Sequence, residues 1–149
     1  MGRTFILPEQ DKRHRTVELK LNALKETVEG KRVIVIDDSI VRGTTSKSRL
    51  GQLRKAGAKE IHVRITCPPH RYPCYYGIDF QKKGELLAAN RTLDEIQQFL
   101  NVESLCYLSV EGMMSCATQP QNYFCNACFT SNYPTPIEEE TKNLSVKKP

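Results

Sequence analysis

Two sets of residues in this 149-residue chain have the types and spacing to do chemistry. The first is Asp37-Asp38-Ser39-Ile40-Val41-Arg42-Gly43-Thr44-Thr45, directly after the apolar run Val33-Ile34-Val35-Ile36. Adjacent carboxylates can accept protons from a ligand's hydroxyls or bind Mg²⁺. A hydroxyl-rich loop with a glycine, opening a helix, offers N–H groups and a positive dipole end to phosphate. A ligand with a diol or metal at one end and phosphate at the other suits both, which is nucleotide or sugar-phosphate chemistry. The second set is made of thiols. Cys125 and Cys128 form a C-x-x-C, a spacing equally compatible with zinc and a redox dithiol. A dithiol would need that motif to open a helix after a strand, and the glutamine-rich approach to Tyr123-Phe124 does not offer one. Buried thiols are expected for Cys67, Cys106 and Cys116. His14, His62 and His70 are expected in surface or packing roles.

The elements that must position these groups follow from periodicity. Residues 32–37 read as a strand buried on both faces, as in a parallel sheet, with the acidic pair at its carboxyl end. That is where open α/β sheets bind ligands. Upstream, Val17, Leu21, Leu24 and Val28 recur at helical spacing, and Gly30 supplies a stop. Downstream, Leu50, Leu53 and Ala56 predict a short helix ended by Gly57, although Gly51 inside it costs about 1 kcal/mol against alanine. Ile61, Val63 and Ile65 alternate with His62, Arg64 and Thr66, predicting a strand with one face less buried. Strand, helix and strand together predict a βαβ unit with a right-handed crossover. Three prolines keep 67–74 irregular, on the ligand side of the sheet. A short helix is expected over Glu85 to Ala89. Thr92 and Glu95 form a capping box that turns Leu93, Ile96 and Leu100 inward, and Leu105 to Val110 is a third strand. The last dozen residues read as a frayed tail.

Composition narrows the class. With 39% apolar and 26% charged residues the chain is an ordinary globular sequence, long enough for one domain. No run approaches a membrane span, and residues 1–15 lack a signal peptide's apolar stretch, so cytoplasm is the default expectation. Without such a signal, six cysteines argue against a disulfide framework. The net charge of +5 is modest and no basic block interleaves with aromatics, so nucleic acid is not an expected partner. The cluster Lys12-Arg13-His14-Arg15 suits a solvated turn or a polyanion such as pyrophosphate. Receiver domains also end a strand in an acidic pair, but they require a further aspartate ending a later strand. Here the next strand runs into Cys67-Pro68-Pro69.

The stretch 33–45 resembles the phosphoribosylpyrophosphate (PRPP) motif of type I phosphoribosyltransferases. The resemblance extends along the chain to the glutamine PRPP amidotransferase family, whose members catalyse the first committed step of purine synthesis. It is carried by Arg3-Thr4-Phe5-Ile6 with Pro8 and Gln10, by Glu29-Gly30-Lys31-Arg32-Val33 and by Tyr72-Pro73-Cys74-Tyr75-Tyr76-Gly77-Ile78-Asp79. Glu85-Leu86-Leu87-Ala88, Leu108-Ser109-Val110-Glu111-Gly112 and the segment from Cys125 and Cys128 through Phe129-Thr130 to Tyr133-Pro134 continue it.

The resemblance implies an α/β fold, a mostly parallel sheet flanked by helices and incomplete at its N-terminal side. Residues 1–134 would be the carboxyl-terminal portion of the transferase domain, 1–15 a mobile loop covering the substrate, and 135–149 a tail. Asp37 and Asp38 become the ribose and Mg²⁺ carboxylates. Ser39, Arg42, Gly43, Thr44 and Thr45 become the phosphate loop, and Arg3 meets diphosphate. Cys74, Cys125 and Cys128 stand at three of the four ligand positions of a [4Fe–4S] cluster, the fourth lying upstream. Ser131-Asn132 replaces a glycine-lysine pair common in the family. The implied partners are PRPP, glutamine-derived ammonia and purine nucleotides as feedback ligands, in a homo-oligomer. A glutaminase nucleophile is expected outside this chain, which by itself would then be inactive. A non-catalytic PRPP-binding module is the alternative.

Overall fold

Among the described residues three strands run parallel in the order β1-β2-β3: β1 (Arg32–Asp37), β2 (Glu60–Ile65) and β3 (Ser104–Tyr107). Val33 lies opposite Ile61, Asp37 opposite Ile65, and Ile65 opposite Tyr107, so the carboxyl ends of all three strands reach one edge. The computed structural model describes residues 25–78 and 82–137. The expectations for Arg3, the 1–15 loop, the Lys12–Arg15 cluster, Val17, Leu21, Leu24 and residues 138–149 lie outside the described residues.

Helix α1 (Thr44–Lys55) joins β1 to β2 as the periodicity predicts, and Gly57 at φ +93° lets the chain leave it for β2. The alternation read in β2 is also present. Ile61, Val63 and Ile65 are fully buried, and with Leu50 of α1 and Ile96 and Leu100 of α3 (Leu93–Leu100) they form the centre of the core. The capping box forms: Thr92 Oγ1 accepts the Glu95 N–H and the Glu95 carboxylate accepts the Thr92 N–H. Arg54 at the end of α1 reaches both carboxylate oxygens of Glu103 at 2.8 Å, and Glu103 also accepts the Ile61 N–H. One ion pair thus ties the connecting helix to the entrances of β2 and β3. The Arg54 guanidinium, ahead of the Ile61 N–H, holds the Glu103 carboxyl below the usual range.

Several expectations are corrected. β1 is not buried on both faces: Ile34 and Ile36 are 67% and 71% exposed. Among the described residues β1 pairs only with β2, and the core packs on one sheet face, taking up Val33 and Val35 and leaving the alternate positions outside. Leu93 is exposed, because the capping box makes it the first helical residue and the apolar stripe runs through Ile96 and Leu100 instead. The predicted helix at 85–89 is two pieces, a 3-10 turn Lys83–Glu85 and the helix α2 (Leu87–Asn90), separated by Leu86, which is extended and wholly buried. The third strand stops at Tyr107. Ser109 then caps α4 (Val110–Ser115), its Oγ accepting the Gly112 N–H at 2.9 Å. Cys106 and Cys116 are exposed rather than buried: Cys106 alternates with the inward Leu105, and Cys116 follows the last turn of α4. Cys67 is half-buried.

Candidate functional site

The acidic pair sits where the sheet ends. Asp37 closes β1, and its carbonyl accepts the Thr66 N–H at 3.0 Å, so the strand exit is pinned to the end of β2. The Asp37 carboxylate accepts the Asp38 N–H at 3.1 Å, and the Asp38 carboxylate accepts the Ser39 hydroxyl at 3.4 Å. Among the described residues neither carboxylate is engaged in an ion pair. Two adjacent carboxylates without an ion pair among the described residues, open to solvent on the Asp38 side, fit a divalent cation. They fit Mg²⁺ in particular, which takes one or two carboxylates and fills its shell with water and phosphate oxygens.

The chain then dives inward. Ile40 is buried beneath the turn, and Gly43 sits at φ +78°, ψ −10° as the residue before α1. A side chain on Gly43 would meet Leu87 Cδ2 at 2.6 Å and Phe99 Cε1 at 3.1 Å, so the position requires glycine twice over, for its backbone and for the close approach. Gly43 provides no side-chain cap, and the first helical bond runs from the Lys47 N–H to the Gly43 carbonyl. The amides of Thr44, Thr45 and Ser46 therefore have no partner within the helix, and the hydroxyls beside them are exposed or half-exposed. No acidic residue occupies this first turn, whereas Arg54 and Lys55 complement the other end.

Asp37, Asp38, Ser39, Arg42, Gly43, Thr44 and Thr45 line one hollow of about 280 Å³, so seven of the eight residues expected to bind substrate are brought together. The eighth, Arg3, lies outside the described residues. Sequence reasoning missed Ser46 and Arg49, which line the same hollow one turn further along α1. It also assigned no role to Glu85, Leu87 or Phe99, although they flank the loop. Glu85 Oε2 accepts from Arg42 Nε at 2.9 Å and Nη2 at 2.5 Å, and the Leu87 N–H donates to the Val41 carbonyl at 2.8 Å. Glu85-Leu86-Leu87-Ala88 was legible as a motif without a function.

The thiols lie on two segments bound to each other. The N–H groups of Arg71 and Tyr72 donate to the Cys128 carbonyl at 3.0 and 3.1 Å, and the Tyr133 hydroxyl donates to the Pro73 carbonyl at 2.8 Å. Burial first, then the charge of Cys74, pushes the Cys128 thiol up to about 11. Cys125 is exposed, and α5 (Ala127–Thr130) starts between the two cysteines. The C-x-x-C thus does open a short helix, although it follows a 3-10 turn (Gln121–Tyr123) and not a strand. Among the described residues no three His, Cys, Asp or Glu side chains converge as a metal site. Cys74, Cys125 and Cys128 are three thiols, one fewer than the four that a [4Fe–4S] cluster takes from protein. His70 is buried against Phe129 of α5, with ring centroids 4.8 Å apart, and burial lowers its pKa, in keeping with a packing role.

No family model matches the chain. Curated relatives do. The amidophosphoribosyltransferase of Methanothermobacter thermautotrophicus is 47% identical over 148 residues, covering 99% of this chain and 31% of the relative. That of Methanocaldococcus jannaschii is 51% identical over 140 residues, covering 94% and 29%. Among solved structures, the glutamine PRPP amidotransferase of Bacillus subtilis complexed with ADP and GMP matches with a TM-score of 0.74 at 46% identity, over 93% of this chain and 31% of that one. An allosteric regulatory enzyme of purine biosynthesis matches with a TM-score of 0.73 at 43% identity. The chain spans about three-tenths of the length of these relatives. The resemblance read from the motifs is borne out, as is the parallel α/β fold. Among the described residues no helix is long and apolar enough to cross a membrane.

Proposed function

We propose that this chain carries the PRPP-binding part of an amidophosphoribosyltransferase, which makes 5-phosphoribosylamine, glutamate and pyrophosphate from PRPP, glutamine and water. The observation that carries the reading is the hollow at the end of β1, with the carboxylates of Asp37 and Asp38 on one side and the amide-rich start of α1 on the other. In this reading Thr44, Thr45 and the neighbouring amides hold the 5′-phosphate, as a helix N-terminus holds an anion. Asp37 and Asp38 take the ribose hydroxyls and the metal. Mg²⁺ bound there would offset the charge of the departing diphosphate, so the protein need provide no nucleophile. Arg3 and the segment around it are proposed to fold over the diphosphate, excluding water that would compete with ammonia. Purine nucleotides are proposed as feedback ligands, supported by the ADP and GMP of the Bacillus subtilis relative. A cytoplasmic homo-oligomer is proposed on the same likeness.

The test is steady-state product formation by the full-length protein. Glutamine- and Mg²⁺-dependent release of pyrophosphate from PRPP is expected. Mg²⁺-dependent PRPP binding without turnover would instead establish the non-catalytic module.

The finer proposal for Cys74, Cys125 and Cys128 is that they ligate a [4Fe–4S] cluster in the complete protein, with a fourth thiol from outside the described residues. It is supported by the hydrogen bonds that tie segment 71–74 to Cys128 and Tyr133. Anaerobically purified full-length protein is expected to be brown, with about four irons per chain, and to lose both in a Cys125→Ser, Cys128→Ser double variant. Stoichiometric zinc in a colourless protein would overturn the assignment.

A further inference from the structure

We infer that Glu85 is a positioning residue for the phosphate loop, acting through Arg42 rather than on the ligand. This rests on the reading of residues 37–45 as the PRPP site.

Two consecutive residues of the loop are gripped by one distant segment. Glu85 binds the Arg42 guanidinium through both Nε and Nη2, across 43 positions of sequence. Two residues later the Leu87 N–H takes the Val41 carbonyl, and the Leu87 side chain lies against Gly43. The gripping segment is itself held. Leu86 is wholly buried, and the Asn90 side-chain amide donates to the carbonyls of Lys83, Gly84 and Leu86 at 3.2, 3.3 and 2.9 Å. The ring of Phe99, which a side chain on Gly43 would meet, carries Lys47 Nζ and the Arg91 guanidinium over it, 4.1 and 4.8 Å from its centroid.

Arg42 also forms the wall between two hollows. One is the phosphate-loop hollow, and the other, of about 270 Å³, is lined by Glu85, Leu87, Asn90, Arg91 and Phe99. A long cationic side chain at such a boundary can adopt many rotamers. Two hydrogen bonds to a carboxylate on a rigid platform select one of them, and with it the orientation of the amide entering Gly43. Ordering the loop before the ligand arrives lowers the entropy lost on binding, so the gain should appear as PRPP affinity. Glu85 is exposed enough that deleting it should leave the fold intact.

A double-mutant cycle on the full-length protein tests this, with Arg42→Ala, Glu85→Ala and the pair measured for PRPP KM, kcat and thermal unfolding. Glu85→Ala is expected to raise the KM for PRPP about fivefold, with kcat within about twofold and unfolding unchanged. Glu85→Gln, which keeps an acceptor oxygen, should lose less. In the Arg42→Ala background Glu85→Ala should have no further effect. An unchanged KM in Glu85→Ala, or the same KM rise with and without Arg42, would overturn the positioning role while leaving the PRPP site standing. Wild-type protein that binds no PRPP at all would remove the site reading itself, and this inference with it.

Discussion

Asp37→Asn and Asp38→Asn are each expected to lower kcat/KM for PRPP by about a hundredfold or more in the full-length protein, with little change in thermal unfolding. Each substitution removes one anion from a pair that makes no ion pair among the described residues. The metal and the ribose hydroxyls would lose half of their carboxylate partners, whereas asparagine keeps the shape and an acceptor oxygen for the local contacts to the Asp38 N–H and the Ser39 hydroxyl. The two variants should also need more Mg²⁺ for half-maximal rate. A loss of activity unaltered by raising Mg²⁺ would point to collapse of the turn instead, and circular dichroism of the variants separates that case.

Gly43→Ala should be nearly as damaging, and for a different reason. The residue sits at φ +78°, where an L side chain costs roughly 1–2 kcal/mol. The new Cβ would lie 2.6 Å from Leu87 Cδ2 and 3.1 Å from Phe99 Cε1. Leu87 is packed in the core, so relief means moving the loop or repacking the helix pair beneath it. Destabilisation of about 2 kcal/mol and a fall in PRPP affinity of at least about tenfold are expected together. Gly51→Ala is the control. Gly51 lies inside α1, and a Cβ there meets nothing within 4 Å, so alanine should stabilise by about 0.5–1 kcal/mol. Equal melting temperatures for the two variants would contradict this account of the loop.

What could be read from the sequence was local. An acidic pair ending an apolar run, a glycine before two threonines and an alternating strand each state their structure within a few residues, and the strand end, the loop and β2 lie where those signals put them. The capping box of Thr92 and Glu95 is legible for the same reason. The exposure of Ile34 and Ile36 is not, because β-branched apolar residues look alike whether or not a layer covers them. Burial depends on what packs against the strand, and among the described residues the core lies on one face alone. The Glu85–Arg42 contact was equally hidden, since its partners are 43 positions apart and an acid in a short helix has many uses. The resemblance pointed to Glu85-Leu86-Leu87-Ala88 without saying why those residues matter. Contact with the loop supplies a physical reason. For the thiols, spacing identified Cys125 and Cys128, while the joining of the proline-rich segment to Cys128 is a matter of backbone hydrogen bonds that no side-chain pattern announces.

The central claim is that the carboxyl end of β1 and the start of α1 form one Mg²⁺-dependent PRPP site. Calorimetric titration of PRPP into the full-length protein, once with Mg²⁺ and once with the metal chelated, tests it most directly. The account predicts binding at one site per chain with Mg²⁺ and a loss of about tenfold or more in affinity without it. The same affinity in both titrations, or no binding in either, would contradict it.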